Sequence, residues 1–501
     1  MKLSKYLKIF MKRILDTVHG YIMVPDEYIH HIIDTIYFQR LRRIEQTSIR
    51  SVYPSARHDR FIHSLGVFHI GSLILDHLQK EAQTYDYWGE TQTTLMVIGH
   101  SYLAACLLHD IAHAPFSHTF EKYYGKRTDL AELLAEAVNN DSFTEDLKTA
   151  RGVDEPNFHE YMSAYLAYVE YISALKRMNL NAELVVRMIT GVLYKKEEST
   201  HQLHNCFISL LHGKVIDADR LDYACRDVWA SGYSTSTIDL RRLISGLHIE
   251  CNPEDKGKYI VCFESNCLNE IEGVLNVKDF QVKYVLNHHS VNYEQWLLVH
   301  AAEHMAWHFF PDDENTYNAM HRIICKESLV GEVKIPNTNC VIKNLSDDDL
   351  IFLMKQDKDN KYYQEWCSRQ YSCFPLWKSP DEFYHCFRGL KRTKSLQHKD
   401  FRKVVEGVLM QQFKIDPSSV IVSEAKYKPR VKMDELHLVV SKEVVKYIDI
   451  HPEAKWENEN VTFYYVFVPK KENESKQDQN IRKRKIINSL RPFIETLYQE
   501  K

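Results

Sequence analysis

The sequence predicts a mainly α protein, with a multi-helix core over residues 1–330 and a smaller α+β region over residues 331–501. Three observations carry that expectation. Apolar residues recur at helical spacing through most of the first 325 positions. From about residue 330, polar turn-like stretches (PNTN, NLSDDD, KQDKDNK) alternate with short helical segments. Strand-like, β-branched runs follow from residue 420 onward.

In chain order, the first helical pattern spans 28–44, with Ile29, Ile32, Ile33, Ile36, Leu41 and Ile44 at helical spacing. Residues 62–80 and 92–110 form two more apolar-rich helices. Pro115 bounds the second, because a residue preceding proline is pushed out of the αR region. Helical patterns resume at 129–140, 159–178, 181–194, 204–230, 236–249 and 290–310. One short strand is expected at 258–263 (KYIVCF), with a helix from about Asn269. In the second region strands are expected at 420–423, 436–440 and 461–468. The charged stretch 470–485 reads as a solvated loop. A last helix carries Ile486, Ile487, Leu490, Phe493, Ile494 and Leu497 and is interrupted at Pro492. No internal repeat is found. The 331–501 region is assigned to regulation or oligomerisation.

Composition excludes several classes. Hydrophobic residues at 44% and charged residues at 26% are ordinary for a soluble globular chain. With 30 Tyr, 22 Phe and 7 Trp, disorder is excluded as the main state. A net charge of −4 argues against a nucleic-acid coat or a polybasic membrane binder. Eleven cysteines without a CxxC pair argue against a disulfide framework or a zinc knuckle and favour a reducing compartment. The N-terminal MKLSKYLKIFMKR is too short in apolar residues for a signal peptide. The apolar stretch 95–108, broken by His100 and Ser101, is too short to cross a bilayer. A cytoplasmic protein with no membrane partner is expected. Neither GxGxxG nor GxxxxGK[ST] occurs, so a phosphate would be held by side chains.

The densest polar cluster is LHDIAHAPFSH, residues 108–118, directly after an apolar helix. It brings His109, Asp110, His113 and His118 together; His63 lies upstream in RFIHSLGV, and Asp217, Asp219, Asp222 and Asp227 lie downstream in VIDADRLDYACRD. Two imidazoles and two carboxylates make a mixed N/O site suited to one divalent ion, Mn²⁺, Fe²⁺, Mg²⁺ or Zn²⁺, with positions left for water and a phosphate oxygen.

The spacing His63 … His109-Asp110 … Asp219 resembles the HD-domain metal phosphohydrolases. The flanking FQRLRRIEQ (38–46), SARHDRFIHSLGV (55–67), LLHDIAHAPFSHTF (107–120), FHEYMSA (158–164) and VIDADRLDYACRD (215–227) narrow this to the deoxynucleoside triphosphate triphosphohydrolases, nearest the SAM-and-HD-domain dNTPases of animals and their bacterial relatives. The resemblance is dense over 12–230, thin to about 400 and absent beyond. It implies an HD-domain core that hydrolyses deoxynucleoside triphosphates between the 5′-oxygen and the α-phosphate, releasing deoxynucleoside and tripolyphosphate. It implies His63, His109, Asp110 and Asp219 as metal ligands, and Arg60 and Arg220 as phosphate binders. His113, His118, His159 and Glu160 form the catalytic wall, with His118 near the 5′-oxygen and His159 braced by Glu160 as acid–base, the two histidines being interchangeable. Gln46, Thr47, Tyr223 and Asp227 become substrate contacts, and Asp217 and Asp222 structural braces. Read without the resemblance, Arg60 would pair with Asp59 or Glu45, His159 would cap a helix, and Asp227 would sit on a solvated face.

The sequence departs from the family in places. Thr47 stands where the family has Leu after the glutamine, so discrimination against a 2′-hydroxyl is altered. A family tyrosine expected within 283–293 falls on Val291 or Asn292. KRILDTVHG (12–20) and IIDTIYFQRLRR (32–43) resemble a guanine-nucleotide activator site, with Lys12, Asp34, Gln39 and Arg42 in matching positions. Leu15 replaces a polar family residue, and the plain alternative is that Asp34 caps or pairs along its own helix and Arg42 reaches Gln39 or Glu45 locally. Nucleoside triphosphates as substrate and activator, and a second copy of the chain, are the partners the resemblance implies. The competing functions are an HD phosphodiesterase or nuclease, and an inactive nucleotide sensor.

Overall fold

The computed structural model describes residues 10–85, 92–151, 155–195, 199–233, 238–255, 258–387, 398–427, 433–452 and 461–499. The chain forms two compact units. One comprises residues 1–277, 303–356 and 432–454; the other comprises 278–302, 357–431 and 455–501. This differs from a single cut near residue 330, and strand pairing explains part of the difference. His437–Val440 runs parallel to Tyr259–Glu264, pairing Leu438 with Phe263, and so recruits a late segment to the first unit.

The first unit is built on the helix Arg60–Tyr85. Its apolar residues lie on nearly every face, which suits a central helix. Phe61, Leu65, Val67, Phe68, Ile70, Ile74 and Leu78 are all buried. Residues Arg60–Glu81 are long and apolar enough to cross a membrane, a span not anticipated from the sequence, and 67% of the window is buried inside the protein. Around it lie Gln92–Leu108, Phe158–Arg177, Ala182–Thr190, Ser199–Leu211 and Ala218–Ser231. A four-stranded sheet runs in the order Glu443–Lys446, His437–Val440, Tyr259–Glu264, Leu247–Cys251.

Several expectations are corrected. Residues 12–25, inside a region read as helical, form an antiparallel hairpin, Met11–Asp16 with Gly20–Pro25. Its turn closes on Asp16, whose Oδ1 accepts from Val18 N at 2.9 Å and His19 N at 2.7 Å, and Gly20 takes φ +74°. The 28–44 pattern breaks into four short turns. Thr35 splits it, because its hydroxyl donates to Ile32 O at 2.7 Å and accepts from Phe38 N, starting a new helix at Ile36. The 204–230 pattern divides at Asp217, which caps the second helix by accepting from Arg220 N at 2.6 Å. Within 236–249 the helix stops at Ser245 and strand Leu247–Cys251 follows.

The second unit packs the helices His398–Phe413 and Lys476–Gln499 on an antiparallel sheet ordered Cys373–Pro375, Val461–Pro469, Ile421–Tyr427. Its core includes Trp377, Phe383, Phe401, Tyr464, Leu490 and Ile494. The charged stretch expected as loop already belongs to the last helix from Lys476. Pro492 lies inside that helix rather than ending it. Both Pro492 and Asn488, whose carbonyl loses its helical donor, are exposed, so water can satisfy that carbonyl.

Candidate metal centre and histidine wall

Three helices of the first unit deliver the four expected ligands. His63 stands one turn into Arg60–Tyr85, His109 and Asp110 follow the end of Gln92–Leu108, and Asp219 opens Ala218–Ser231. His63 Nε2 lies 2.9 Å from Asp219 Oδ1 and 3.5 Å from Asp110 Oδ2. His109 Nε2 lies 3.4 Å from Asp110 Oδ2 and 3.6 Å from Asp219 Oδ1. Ligand atoms of His63, His109 and Asp110 fall within 4.8 Å of one another. The Asp219 side chain is 37% exposed and leaves the cluster open on one side.

Both imidazoles are turned by their other nitrogen. His63 Nδ1 meets Asp222 Oδ2 at 2.7 Å, and His109 Nδ1 meets the Cys106 carbonyl at 2.9 Å. Their Nε2 atoms are buried and turned to the Asp110 and Asp219 carboxylates. Inward-facing Nε2 atoms converging on two carboxylates are a donor set that a bound cation satisfies, and a carboxylate on the far nitrogen is its usual support. The donor set therefore fits a divalent metal. Burial acts to raise the pKa of Asp110, but the Arg60 guanidinium and the His109 and His63 rings hold it well below the carboxylate range. Burial opposes charge on His63, yet its bonds to Asp219 and Asp222 push it up to about 10.

Asp222 is the hub of the support. Besides His63 it meets His19 Nε2 at 2.6 Å, Arg226 Nε at 2.8 Å and Arg226 Nη2 at 2.9 Å. Arg226 Nη1 in turn reaches Asp16 Oδ2 at 2.9 Å, joining the N-terminal hairpin to the centre. Gly66 makes this packing possible: a Cβ there would sit 1.9 Å from Asp222 Oδ1.

Beside the four candidate ligands stands a histidine wall. His113 is fully buried, stacks on His159 at 4.1 Å and 15°, and places Nε2 3.4 Å from Asp110 Oδ1. Burial, reinforced by Arg60, His159 and His118, holds its pKa well below the ordinary value, so His113 is neutral. His159 Nδ1 lies 2.6 Å and His118 Nδ1 3.1 Å from opposite oxygens of Glu121. Burial lowers the His159 pKa, but the Glu121 bond and the Glu160 charge outweigh it and raise it. Glu121 itself, despite burial, is held far below its usual range by those imidazoles.

Glu121 was missed in the sequence and replaces Glu160 as the brace. Glu160 is engaged in capping its own helix, accepting from Asn157 N at 2.6 Å, and stays 3.9 Å from His159 Nε2. The signal lay three residues past His118 in HTFE. Asp347 was also missed. It accepts from Phe116 N at 2.7 Å and Glu45 N at 2.9 Å, fixing a turn in which Phe116 and Ser117 take φ 53° and 54°. Burial and the Glu45 charge push Asp347 up to about 8, against the backbone amides it accepts from.

Arg60 is buried and pairs with Asp110 Oδ2 at 2.6 Å, not with Asp59 or Glu45, and donates to Ser117 Oγ at 2.9 Å and Gln46 O at 3.3 Å. Arg220 is directed to the Val215 and Gly213 carbonyls and to Tyr223 OH at 3.3 Å. In this arrangement both arginines brace the protein, and neither fork is presented for a phosphate. Asp227 meets His58 Nε2 at 2.8 Å in a buried pair rather than on a solvated face. Gln46 Oε1 and Thr47 Oγ1 are buried without partners, as contacts awaiting a polar ligand would be. Val291 and Asn292 lie in the second unit, where Asn292 accepts from Ser423 Oγ at 3.1 Å.

Of the activator-like residues, Lys12 and Asp34 are exposed, and Arg42 Nε meets Gln39 Oε1 at 2.9 Å, the plain local pair. Gln39 and Arg42 line a cavity of about 490 Å³ with Arg43, Arg50, Arg57 and Asp347.

Comparison with known proteins agrees with this geometry. The HD domain family model matches residues 60–222. An uncharacterized Bacillus subtilis protein, YwfO, is 31% identical over 230 residues, covering 46% of this chain and 42% of its own. An uncharacterized protein of Mycoplasma genitalium is 29% identical over 272 residues, 52% of each chain. A deoxynucleoside triphosphate triphosphohydrolase SAMHD1 homologue of Dictyostelium discoideum is 29% identical over 239 residues, 46% of this chain and 39% of its own. The chain spans about half the length of the curated relatives it matches. In fold, a phosphohydrolase from Bacteroides thetaiotaomicron aligns at TM-score 0.58 and 18% identity, over 92% of this chain and all of that one. Residues 60–222, which carry all four metal-ligand candidates and the histidine wall, match the HD domain, and the chain is similar in sequence to SAMHD1-type deoxynucleoside triphosphate triphosphohydrolases.

Proposed function

We propose that this chain is a metal-dependent deoxynucleoside triphosphate triphosphohydrolase. One observation carries the reading: the buried Nε2 atoms of His63 and His109 converge on Asp110 and Asp219, and Asp110 also borders the His113–His159 stack. His63, His109, Asp110 and Asp219 would hold one divalent ion, whose chemistry there is Lewis-acid polarisation of an α-phosphate oxygen and of water. The protein's own residues supply the rest. His159, whose pKa the Glu121 bond raises, protonates the leaving 5′-oxygen. His118, on the other Glu121 oxygen and 62% exposed in its side chain, faces incoming substrate. Neutral His113 packs between the two and Asp110, fixing their planes. Arg60 orients Asp110 while tying Ser117 and the Gln46 carbonyl to it. Gln46 and Thr47 offer polar atoms to the sugar. The net reaction adds one water to a dNTP and yields deoxynucleoside and tripolyphosphate.

A nucleotide activator bound by Lys12, Asp34, Gln39 and Arg42, in a homo-oligomer, belongs to the same reading. What supports it is the arginine-lined cavity at Gln39 and Arg42 and the buried Asp16–Arg226–Asp222 chain from the hairpin to His63. The test is product analysis by ³¹P NMR over all dNTPs and NTPs with Mn²⁺ or Mg²⁺, with and without GTP. Tripolyphosphate supports the proposal. Nucleoside monophosphate would make the chain a phosphodiesterase-type enzyme, and no turnover under any condition would make it a sensor.

A further inference from the structure

A second group of metal-ligating side chains lies far along the same central helix. His77 and Glu81 are four residues apart and share one face of Arg60–Tyr85. His77 is fourteen residues beyond His63, about 21 Å at 1.5 Å per residue. The antiparallel strand pair Leu247–Cys251 and Tyr259–Glu264 presents His248 and Glu264 on one face, since His248 pairs with Cys262 and side chains alternate along a strand.

These side chains converge. His248 Nδ1 lies 2.8 Å and His77 Nε2 3.7 Å from Glu81 Oε1. His77, Glu81 and His248 each offer a ligand atom, and the three atoms lie within 4.8 Å of one another. The His77 and His248 rings stand 6.2 Å apart at 63°, close to the arrangement of His63 and His109 at 5.3 Å and 72°. Glu264 Oε1 is 3.4 Å from the opposite nitrogen, His248 Nε2, which is buried with no hydrogen-bond partner. Negative charge crowds the spot. Burial, with the Glu81 and Glu264 charges, raises the pKa of neighbouring Glu250 against the pull of His248.

We propose that His77, Glu81 and His248 form a second, peripheral metal site for a divalent ion of the zinc class, with Glu264 steadying His248 from its far nitrogen. Two imidazoles and a carboxylate select Zn²⁺, Co²⁺ or Ni²⁺ over Mg²⁺ and Ca²⁺, which prefer all-oxygen sets. Each side chain is about one-fifth exposed, so an ion reaches the site from solvent and a water completes its coordination. Binding releases two protons to solvent, the His77 Nε2 proton now directed at the Leu247 carbonyl at 2.9 Å and the His248 Nδ1 proton now directed at Glu81 Oε1 at 2.8 Å. The ion would clamp the long helix to the strand pair and takes no part in the chemistry at His63, so this site stands or falls independently of the proposed activity.

The test uses the full chain with the HD centre emptied by His109→Ala and Asp110→Ala. Metal-stripped protein is dialysed against micromolar Zn²⁺ and counted by plasma mass spectrometry. The expected result is about one zinc per chain, lost on adding His248→Ala, and lost equally with Glu81→Gln, a near-isosteric change on a partly exposed side chain. Added Zn²⁺ should also raise the Tm of the emptied protein and leave that of the Glu81→Gln version unmoved. No bound zinc in the emptied protein, or zinc unaffected by both substitutions, would leave only ordinary His–Glu ion pairs and overturn the proposal.

Discussion

Glu121→Gln separates the brace seen in the structure from the one the sequence suggested. Glu121 places one oxygen 2.6 Å from His159 Nδ1 and the other 3.1 Å from His118 Nδ1, whereas Glu160 stays 3.9 Å from His159. The substitution keeps shape and removes charge. A charge-assisted hydrogen bond contributes about 1.5–3 kcal/mol, and one pKa unit is about 1.4 kcal/mol, so His159 should fall by roughly one to two units. At pH values above the wild-type pKa its protonated fraction, and kcat/KM with it, should then drop about 10- to 100-fold. The sign follows from His159 acting as the acid: activity is lost as pH rises through its raised pKa, so the basic limb of the profile moves to lower pH in Glu121→Gln. Glu160→Gln should change kcat/KM by less than about threefold, since its amide oxygen still accepts from Asn157 N in the capping box. The assay is tripolyphosphate release against pH for both variants, with circular dichroism confirming the fold. A Glu121→Gln enzyme with an unmoved basic limb, or a Glu160→Gln enzyme with the larger defect, would refute the reasoning.

Asp222→Ala should lower metal affinity about 10- to 100-fold by freeing the far nitrogen of His63. It should also destabilise the fold by about 3–5 kcal/mol by leaving Arg226 buried beside a lost partner; metal titration and urea unfolding check the two effects. Gly66→Ala sets a Cβ 1.9 Å from Asp222 Oδ1 and 2.5 Å from Arg226 Nη2, so it should reproduce the affinity loss and cost about 1–3 kcal/mol, seen in the same titrations. Asp347→Ala should loosen the Phe116–Ser117 turn and lower kcat more than KM, read in steady-state kinetics. Burial pulls Asp222 and Glu121 upward, but their cationic partners depress both far below the ordinary range. Their stabilisation is therefore complete above the unfolded pKa values near 4 and is lost as pH falls further, so their contribution to Tm should be level from about pH 5 upward and decline below it, a decline that Asp222→Asn and Glu121→Gln should flatten.

The chemistry-bearing residues were the most legible part of the sequence, because their spacing survives any error in the elements around them. His63, His109, Asp110 and Asp219 come together as expected, although the 204–230 pattern carrying Asp219 was read as one helix and is two. Roles set by long-range partners were not legible. Arg60 looks like a phosphate binder or a surface pair until Asp110, fifty residues on, is seen at 2.6 Å. Glu160 adjoins His159 in sequence, yet a helix start turns it back to Asn157 and leaves the nearer carboxylate to Glu121. The Met11–Pro25 hairpin was missed because its outer face shows Met11, Leu15, Tyr21 and Met23 to solvent, which hides the polar–apolar alternation of a half-buried strand. The helix from Lys476 was missed because its first turns are charged all round and only Ile486 onward reaches the core.

The central claim is that water attacks the α-phosphorus and the 5′-oxygen–phosphorus bond breaks, and turnover of a dNTP in H₂¹⁸O with divalent metal tests it most directly. Mass spectrometry of the products should find one ¹⁸O in tripolyphosphate and none in the deoxynucleoside, with no turnover by His63→Ala or Asp110→Ala. Label in the nucleoside 5′-hydroxyl, release of deoxynucleoside monophosphate with pyrophosphate, or unchanged products from the two variants would contradict it.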